Sequence, residues 1–252
     1  MAEPVGFYTD TTVCIGCKAC DVACKQWNDL PADGSEFRAG SSYDHTGSLG
    51  AATWRPVRFV ETPDAWRFMS DVCKHCTNAG CLDACPTGAL IRTEFHTVVL
   101  QPDVCNGCGY CVAACPFGVL DRDPEDGRAA KCTLCYDRLQ DGLEPACAKA
   151  CPTQSINFGP IVDLKKMAQA RLGTLQRAGE TRASLYGADE HMLGGLNSFY
   201  LLVDRPEVYG LPTDPKIPSR NLKPSAIWSV LGSVALTLMA MVSFRNRGTR
   251  DV

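Results

Sequence analysis

Apolar and polar positions along this chain follow no single rhythm, and each change of rhythm marks a part of it. Before Asp163 the apolar runs are short and cut by Cys, Gly and Pro. Two of them read as strands: Trp54 to Glu61, and the run Phe95, His96, Thr97, Val98, Val99, Leu100, closed by Pro102. From Asp163 through Ala178 the period becomes helical, with Leu164, Met167, Ala168, Leu172 and Leu175 on one face and Gly179 ending the run. One apolar face of this length predicts a helix that covers a core. A strand is expected at Phe199 to Asp204; Pro206, Pro212, Pro215 and Pro218 then predict an extended arm lying on a surface.

The last change is the largest. Ser225 to Phe244 runs for twenty residues without a charge, and a helix of that length spans about 30 Å, the thickness of a bilayer core. Lys223 and Arg245 flank it and Trp228 lies near one end, which predicts a transmembrane anchor rather than a buried helix. Ser225, Ser229, Ser233 and Thr237 recur every four residues. Such residues let a second membrane helix approach and hydrogen-bond, so a membrane-embedded partner is expected on that face. Arg245, Arg247 and Arg250 follow the span more densely than Lys216, Arg220 and Lys223 precede it. That favours a cytoplasmic C-terminus and a globular part on the extracytoplasmic face.

Composition removes some functions and cysteine usage supplies one. A net charge of −3 and 8% aromatic residues leave no nucleic-acid footprint. There is no Walker loop, no dinucleotide fingerprint and no nucleophile paired with a base, so no catalytic site is expected in this chain. The sixteen cysteines form four quartets: Cys14, Cys17, Cys20, Cys24; Cys73, Cys76, Cys81, Cys85; Cys105, Cys108, Cys111, Cys115; and Cys132, Cys135, Cys147, Cys151. Three of them end in Cys-Pro. This is the bacterial ferredoxin signature, in which three closely spaced thiolates hold one 4Fe-4S cluster and the fourth reaches a neighbouring one. Disulfides would need oxidative folding, yet MAEPVGFYTDTTVC shows neither a basic n-region nor an apolar h-region. Zinc ribbons also use paired C-x2-C units, but three successive quartets ending in Cys-Pro are not a zinc pattern.

CPTGAL at Cys85, CPFGVL at Cys115 and CPTQSI at Cys151 repeat one unit: a ligand, a proline that stops a short helix, and an apolar residue that starts a strand. The expected fold class is α+β: two bacterial-ferredoxin-like modules, each holding two 4Fe-4S clusters, plus the transmembrane helix. One module comprises residues 1–30 with 128–160, the other 68–127. Residues 31–67 form an inserted loop and strand, 161–224 the covering helix and arm, 225–244 the anchor and 245–252 a basic tail. The four clusters stand in for much of the apolar core, and removing the iron is expected to unfold the chain. Lys18, Lys25, Lys74 and Lys131 sit beside ligands, where a charge would raise a local potential, but lysines are mostly solvated. With a full set of thiols, His75 is expected to be a packed or exposed side chain rather than a ligand; His45, His96 and His191 do not cluster. A redox sensor has little use for four clusters in a row.

CIGCKAC at Cys14 to Cys20, WND at Trp27 to Asp29, CNGCGYCVAACPF at Cys105 to Phe117, KCTLCYDR at Lys131 to Arg138, EPACAKACPT at Glu144 to Thr153 and YGLPTDPKI at Tyr209 to Ile217 resemble the iron-sulfur β subunit of membrane-bound respiratory formate dehydrogenases. Subunits of nitrate, dimethyl sulfoxide and polysulfide reductases share the quartets. The resemblance implies three subunits: a molybdopterin-containing catalytic α subunit with molybdenum or tungsten, this electron carrier, and a cytochrome b γ subunit that passes electrons to quinone. It also implies crossed ligand sets. Cys14, Cys17, Cys20 and Cys151 would hold cluster 1; Cys132, Cys135, Cys147 and Cys24 cluster 2; Cys73, Cys76, Cys81 and Cys115 cluster 3; Cys105, Cys108, Cys111 and Cys85 cluster 4. Some relatives replace the cysteine at the position of Cys108 by tryptophan; this chain keeps the thiol, so four cubanes are expected. Cys24 departs from the pattern, with Lys25 where proline would stand.

Overall fold

The computed structural model describes residues 3–32, 42–45, 48–63 and 65–247, the side chains of 221–225 and 246–247 excepted. Strand β1 (Val5–Asp10) runs into the first ligand loop, which closes on helix α1 (Ala19–Trp27). A hairpin follows, β2 (Val57–Thr62) and β3 (Ala65–Ser70), with Val57 opposite Ser70. The strand expected from Trp54 thus begins only after Pro56, which has no N–H for a ladder. Its partner β3 is not announced by the local pattern.

Short elements then alternate with ligand loops: α2 (Gly80–Asp83), β4 (Leu90–Arg92) paired with β5 (Val98–Leu100), α3 (Tyr110–Ala114), and β6 (Asp121–Arg122) paired with β7 (Ala129–Ala130). Of the β-rich run from Phe95, only Val98 onward is strand; His96 sits in the turn at φ 61°. Helices α4 (Tyr136–Gln140) and α5 (Ala146–Lys149) precede β8 (Ile156–Pro160). Helices α2, α3 and α5 each stop before a Cys-Pro pair, because proline cannot donate and drives the residue before it out of helical geometry. Cys24, without its proline, instead lies inside α1, which continues to Trp27.

The chain after the ligand loops builds the one larger sheet. Helix α6 (Ile161–Arg177) leads to β9 (Ser184–Tyr186) and β10 (Ser198–Leu202), and the strand order is β8-β1-β10-β9, with β1 and β10 parallel. All five residues of β10 are buried. The period of two sends Tyr8, Phe199 and Leu201 to the face under α6, where Leu164 and Ala168 meet them, and turns Phe7, Tyr200 and Leu202 the other way. Met167, expected on the buried face, lies at its edge and is 49% exposed, while Leu172 and Leu175 are partly buried against the same cluster. The segment read as a surface arm therefore contributes a central strand, and its proline-rich part is pinned by the buried Tyr209, Leu211 and Ile217. Beyond it, α7 (Leu222–Arg247) includes Ala226–Arg245, of mean hydropathy 1.9 and with none of its apolar window buried. This single apolar C-terminal helix has the length and character of a membrane anchor.

Candidate metal centres

Each quartet begins in a loop that turns through left-handed backbone. Gly16 (φ 68°) and Lys18 (58°) do so in the first, His75 (42°) in the second, Gly107 (72°) and Gly109 (75°) in the third, and Leu134 (61°) and Cys135 (48°) in the fourth. For a residue other than glycine such a conformation costs of order 1–3 kcal/mol. The strain has an evident return: these turns aim backbone N–H groups inward, as where Leu134 N–H donates to Cys132 Sγ at 3.3 Å. Gly107 must also be small, since a Cβ there would stand 2.7 Å from the Gly127 carbonyl.

Burial pushes most of these thiols up, to about 12 for Cys81 and Cys132 and about 11 for Cys135 and Cys147. They stay protonated at neutral pH until a metal displaces the proton. Cys85 goes the other way: burial would raise it, but N–H groups of Leu90, Thr87 and Ala89 and the Thr87 hydroxyl lower it.

Several thiols have electrostatic neighbours outside their own quartet. Cys24 feels Cys132, Cys147 and Cys135 rather than its own quartet. Cys14 feels Cys20 and Cys151, and a pocket with about 290 Å³ of empty space, partly open to solvent, is lined by Cys14, Cys17, Cys20 and Cys151. Cys76 faces Cys73, Cys115 and Cys81, while Cys111 faces Cys85, Cys105 and Cys108. Electrostatic neighbours also link one set to the next, Cys20 with Cys147, Cys132 with Cys73, and Cys81 with Cys111. Exposure varies along that row. Cys17 and Cys108, in the two end sets, are exposed; Cys24, Cys132, Cys135 and Cys147 are all buried.

Among the described residues, no three His, Cys, Asp or Glu side chains are gathered as the donors of a single ion would be. A 4Fe-4S cubane takes each thiolate on a separate iron and needs a wider cage of sulfur alone. Thiol-only sets, inward N–H groups and buried donors without partners suit it. Those donors include both terminal nitrogens of Arg55.

Buried cations are what spacing alone does not disclose. Lys74 and Lys131 are 1% exposed, against the usual fate of lysine, while Lys18 and Lys25 stay nearer the surface. Lys74 donates to Asp71, to the Val72 carbonyl at 2.7 Å and to Tyr200 Oη at 3.0 Å. Lys131 donates to the carbonyls of Val98 and Cys132. Arg55, with no motif around it, is the largest fully buried side chain. His75 is buried: its Nδ1 accepts from Val98 N–H at 3.1 Å, which leaves Nε2 as an N–H with no free pair for a metal. Asn28 compensates at Cys24, donating to its carbonyl at 2.9 Å and its Sγ at 3.7 Å. Trp27 Nε1 bonds Asp137 at 2.8 Å, tying α1 to α4.

On α7, Ser233 and Thr237 donate at 2.8 Å to the carbonyls of Ser229 and Ser233, so their hydroxyls are satisfied within the helix. Ser225's side chain and Arg250 lie outside the described residues.

Residues 13–89 and 64–161 each match the 4Fe-4S dicluster domain family. Together with the four sulfur cages, this defines an iron-sulfur protein of four 4Fe-4S clusters in two dicluster domains. The chain is 45% identical to the formate dehydrogenase iron-sulfur subunit of Haemophilus influenzae, over 82% of this chain and 68% of that one, and 42% identical to the formate dehydrogenase-O iron-sulfur subunit of Escherichia coli K12, over 92% and 79%. It belongs to the family of formate dehydrogenase iron-sulfur subunits. A probable anaerobic dimethyl sulfoxide reductase chain of Escherichia coli K12 is 35% identical over 73% of this chain and 88% of its own length.

Proposed function

We infer that this chain is the electron-transfer subunit of a membrane-bound formate dehydrogenase complex, taking electrons from a molybdopterin catalytic subunit and delivering them to a cytochrome b subunit and quinone. The observation that carries this reading is the row of four thiol sets, with one exposed thiol in each end set and none in the two between. A carrier needs two accessible ends for two partners and an insulated path between them.

The ligand sets are those implied by the family pattern. Cys14, Cys17, Cys20 and Cys151 hold cluster 1; Cys132, Cys135, Cys147 and Cys24 cluster 2; Cys73, Cys76, Cys81 and Cys115 cluster 3; Cys105, Cys108, Cys111 and Cys85 cluster 4. The thiol neighbours described above support each set. When bound, each cluster supplies one-electron chemistry with little change of geometry. The chain's own residues hold the clusters apart, exclude water from the middle pair and present N–H groups and buried charges to sulfur.

Helix α7 anchors the head in the membrane, and its face of Ser225, Ser229, Ser233 and Thr237 meets a helix of the cytochrome subunit. Because Ser233 and Thr237 donate their hydroxyls to the carbonyls of Ser229 and Ser233, that face offers close approach rather than hydrogen-bond donors. The arginines after the span support a C-terminus in the cytoplasm and a head on the opposite side.

Purifying the intact membrane complex and assaying formate-dependent quinone reduction tests the whole reading. Formate-reducible cluster signals and a co-purifying molybdopterin subunit are expected. Co-purification with a catalytic subunit that ignores formate and reduces dimethyl sulfoxide would assign the relay to that reaction instead.

A further inference from the structure

We propose that Arg55 sets the reduction potentials of clusters 1 and 2 together, its guanidinium standing between the two thiol sets and donating to sulfur on both. The inference rests on the ligand sets given above.

Arg55 lies in the loop before β2 and is 0% exposed. Its Nε donates to Ser70 Oγ at 3.0 Å, and Ser70 Oγ lies 3.2 Å from Cys20 Sγ. An iron-bound thiolate has no proton to give, so Ser70 must turn its O–H toward Cys20, and Arg55 holds it there. The Phe7 ring, with its centroid 4.4 Å from Cζ, fixes the plane of the guanidinium. Both terminal nitrogens are left buried without a hydrogen-bond partner.

A guanidinium buried without an anion is costly by several kcal/mol, so a negative group is expected beside it. Burial would by itself lower the pKa of Arg55, but the neighbouring acidic groups of Cys147, Cys20, Tyr200 and Cys132 more than reverse this. Cys20 belongs to one set, and Cys147 and Cys132 to the next. A thiolate-bound cluster is an anion, and becomes more of one on taking an electron. Arg55 therefore favours the reduced form at either site, and raises both potentials while leaving the step between them nearly level.

The test is redox potentiometry of the intact complex, followed by electron paramagnetic resonance, with Cys17→Ser and Cys135→Ser used to assign the signals of clusters 1 and 2. In Arg55→Met both signals should become harder to reduce, each by tenfold or more in the reduction equilibrium, which is 59 mV for one electron. The other two should not move. Arg55→Lys keeps the charge and should recover more than half of the shift; Ser70→Ala should lower cluster 1 alone. Unmoved potentials, or an equal shift of all four, overturn the proposal. If Arg55→Met loses iron, the native complex decides: grown on 15N-arginine, it should show a nitrogen coupling on both signals, and its absence from either overturns the proposal. Should Cys17→Ser and Cys135→Ser remove the same signal, the ligand sets themselves are wrong.

Discussion

The two ends of the cluster row and its middle are written with the same C-x2-C loops, yet they are surrounded differently. At the ends, Cys17 and Cys108 reach solvent. The fourth ligands there, Cys151 and Cys85, are followed by Pro-Thr, and the threonine hydroxyls lie 3.8 and 3.6 Å from sulfur. In the middle, Cys24 is followed by Lys25 and Cys115 by Pro116 and Phe117, which bring no such hydroxyl. Instead the buried cations gather toward the middle, Lys131 beside Cys132 and Cys81 and Lys74, paired with Asp71, over the Phe117 ring at 5.5 Å, while Arg55 stands at the seam between an end set and the middle, near Cys20 and Cys147. A hydroxyl acts on a cluster through one contact, whereas a buried charge acts through a poorly screened field. A family of near-identical loops can thus serve a graded row, because the gradient lies in what surrounds them.

The largest effect comes from erasing both regions at once. Because the main core counts thiols such as Cys20, Cys73, Cys81, Cys111, Cys132 and Cys147 among its buried members, removing iron leaves their cages to collapse or repel. Anaerobic chelation should therefore unfold the head, seen as loss of far-ultraviolet circular dichroism in step with loss of sixteen irons, four per cubane. A head that kept its fold after losing its iron would show that the apolar side chains suffice.

Single ligands separate the middle from the ends. Cys17→Ala should cost the chain its first cluster and little else, since that thiol already faces solvent. Cys135→Ala opens a site where all four thiols are buried, and should lose its own cluster together with several degrees of thermal stability, in line with a large core substitution of about 2–5 kcal/mol. Equal loss of thermal stability in the two variants would remove the distinction. At the far end, Cys85→Ala and Cys108→Ala should alter one and the same signal and block haem reduction, whereas Cys76→Ala alters another.

Head and anchor were legible in the sequence to different depths. The ligand loops, α6 and α7 are local patterns, fixed within one or two turns of chain, and spacing or period suffices to read them. Arg55 is different. It bonds Ser70 from the neighbouring hairpin strand and feels the charge of Cys147 from α5, and no local period records such a meeting. Lys74 and Lys131 beside cysteines read as solvated because most lysines are, and only the long-range partners Tyr200 and Val98 reveal their burial. Strand β10 was visible as a strand, but its central place depends on parallel pairing with β1, far away in sequence.

Deleting the chain from Ser225 onward leaves all sixteen cysteines in place and should leave iron content unchanged, since none of the apolar window is buried against the head. The truncated head should wash off membranes and lose formate-dependent quinone reduction. Normal quinone reduction by the truncated complex would deny the anchor a coupling role. A smaller effect is expected from Lys131→Met. It removes a buried charge near Cys132 and Cys81 and leaves two carbonyls unpaired, at about 1–3 kcal/mol. Clusters 2 and 3 should become harder to reduce while the end clusters hold their potentials.

The smallest effect tests the ends by themselves. Thr87→Val and Thr153→Val keep the shape of the side chain and delete the hydroxyl near Cys85 and Cys151. The contacts are long and the sites partly hydrated, so water replaces part of what is lost, and only the difference in the bond's strength between the two oxidation states reaches the potential. Thr87→Val should therefore lower the potential of cluster 4 alone, and Thr153→Val that of cluster 1 alone, each by less than tenfold in the reduction equilibrium, under about 59 mV. Additivity in the double variant is expected, because the two ends share no partner. A shift in either middle cluster would mean that the threonines act through packing of the core and not on the sulfur beside them.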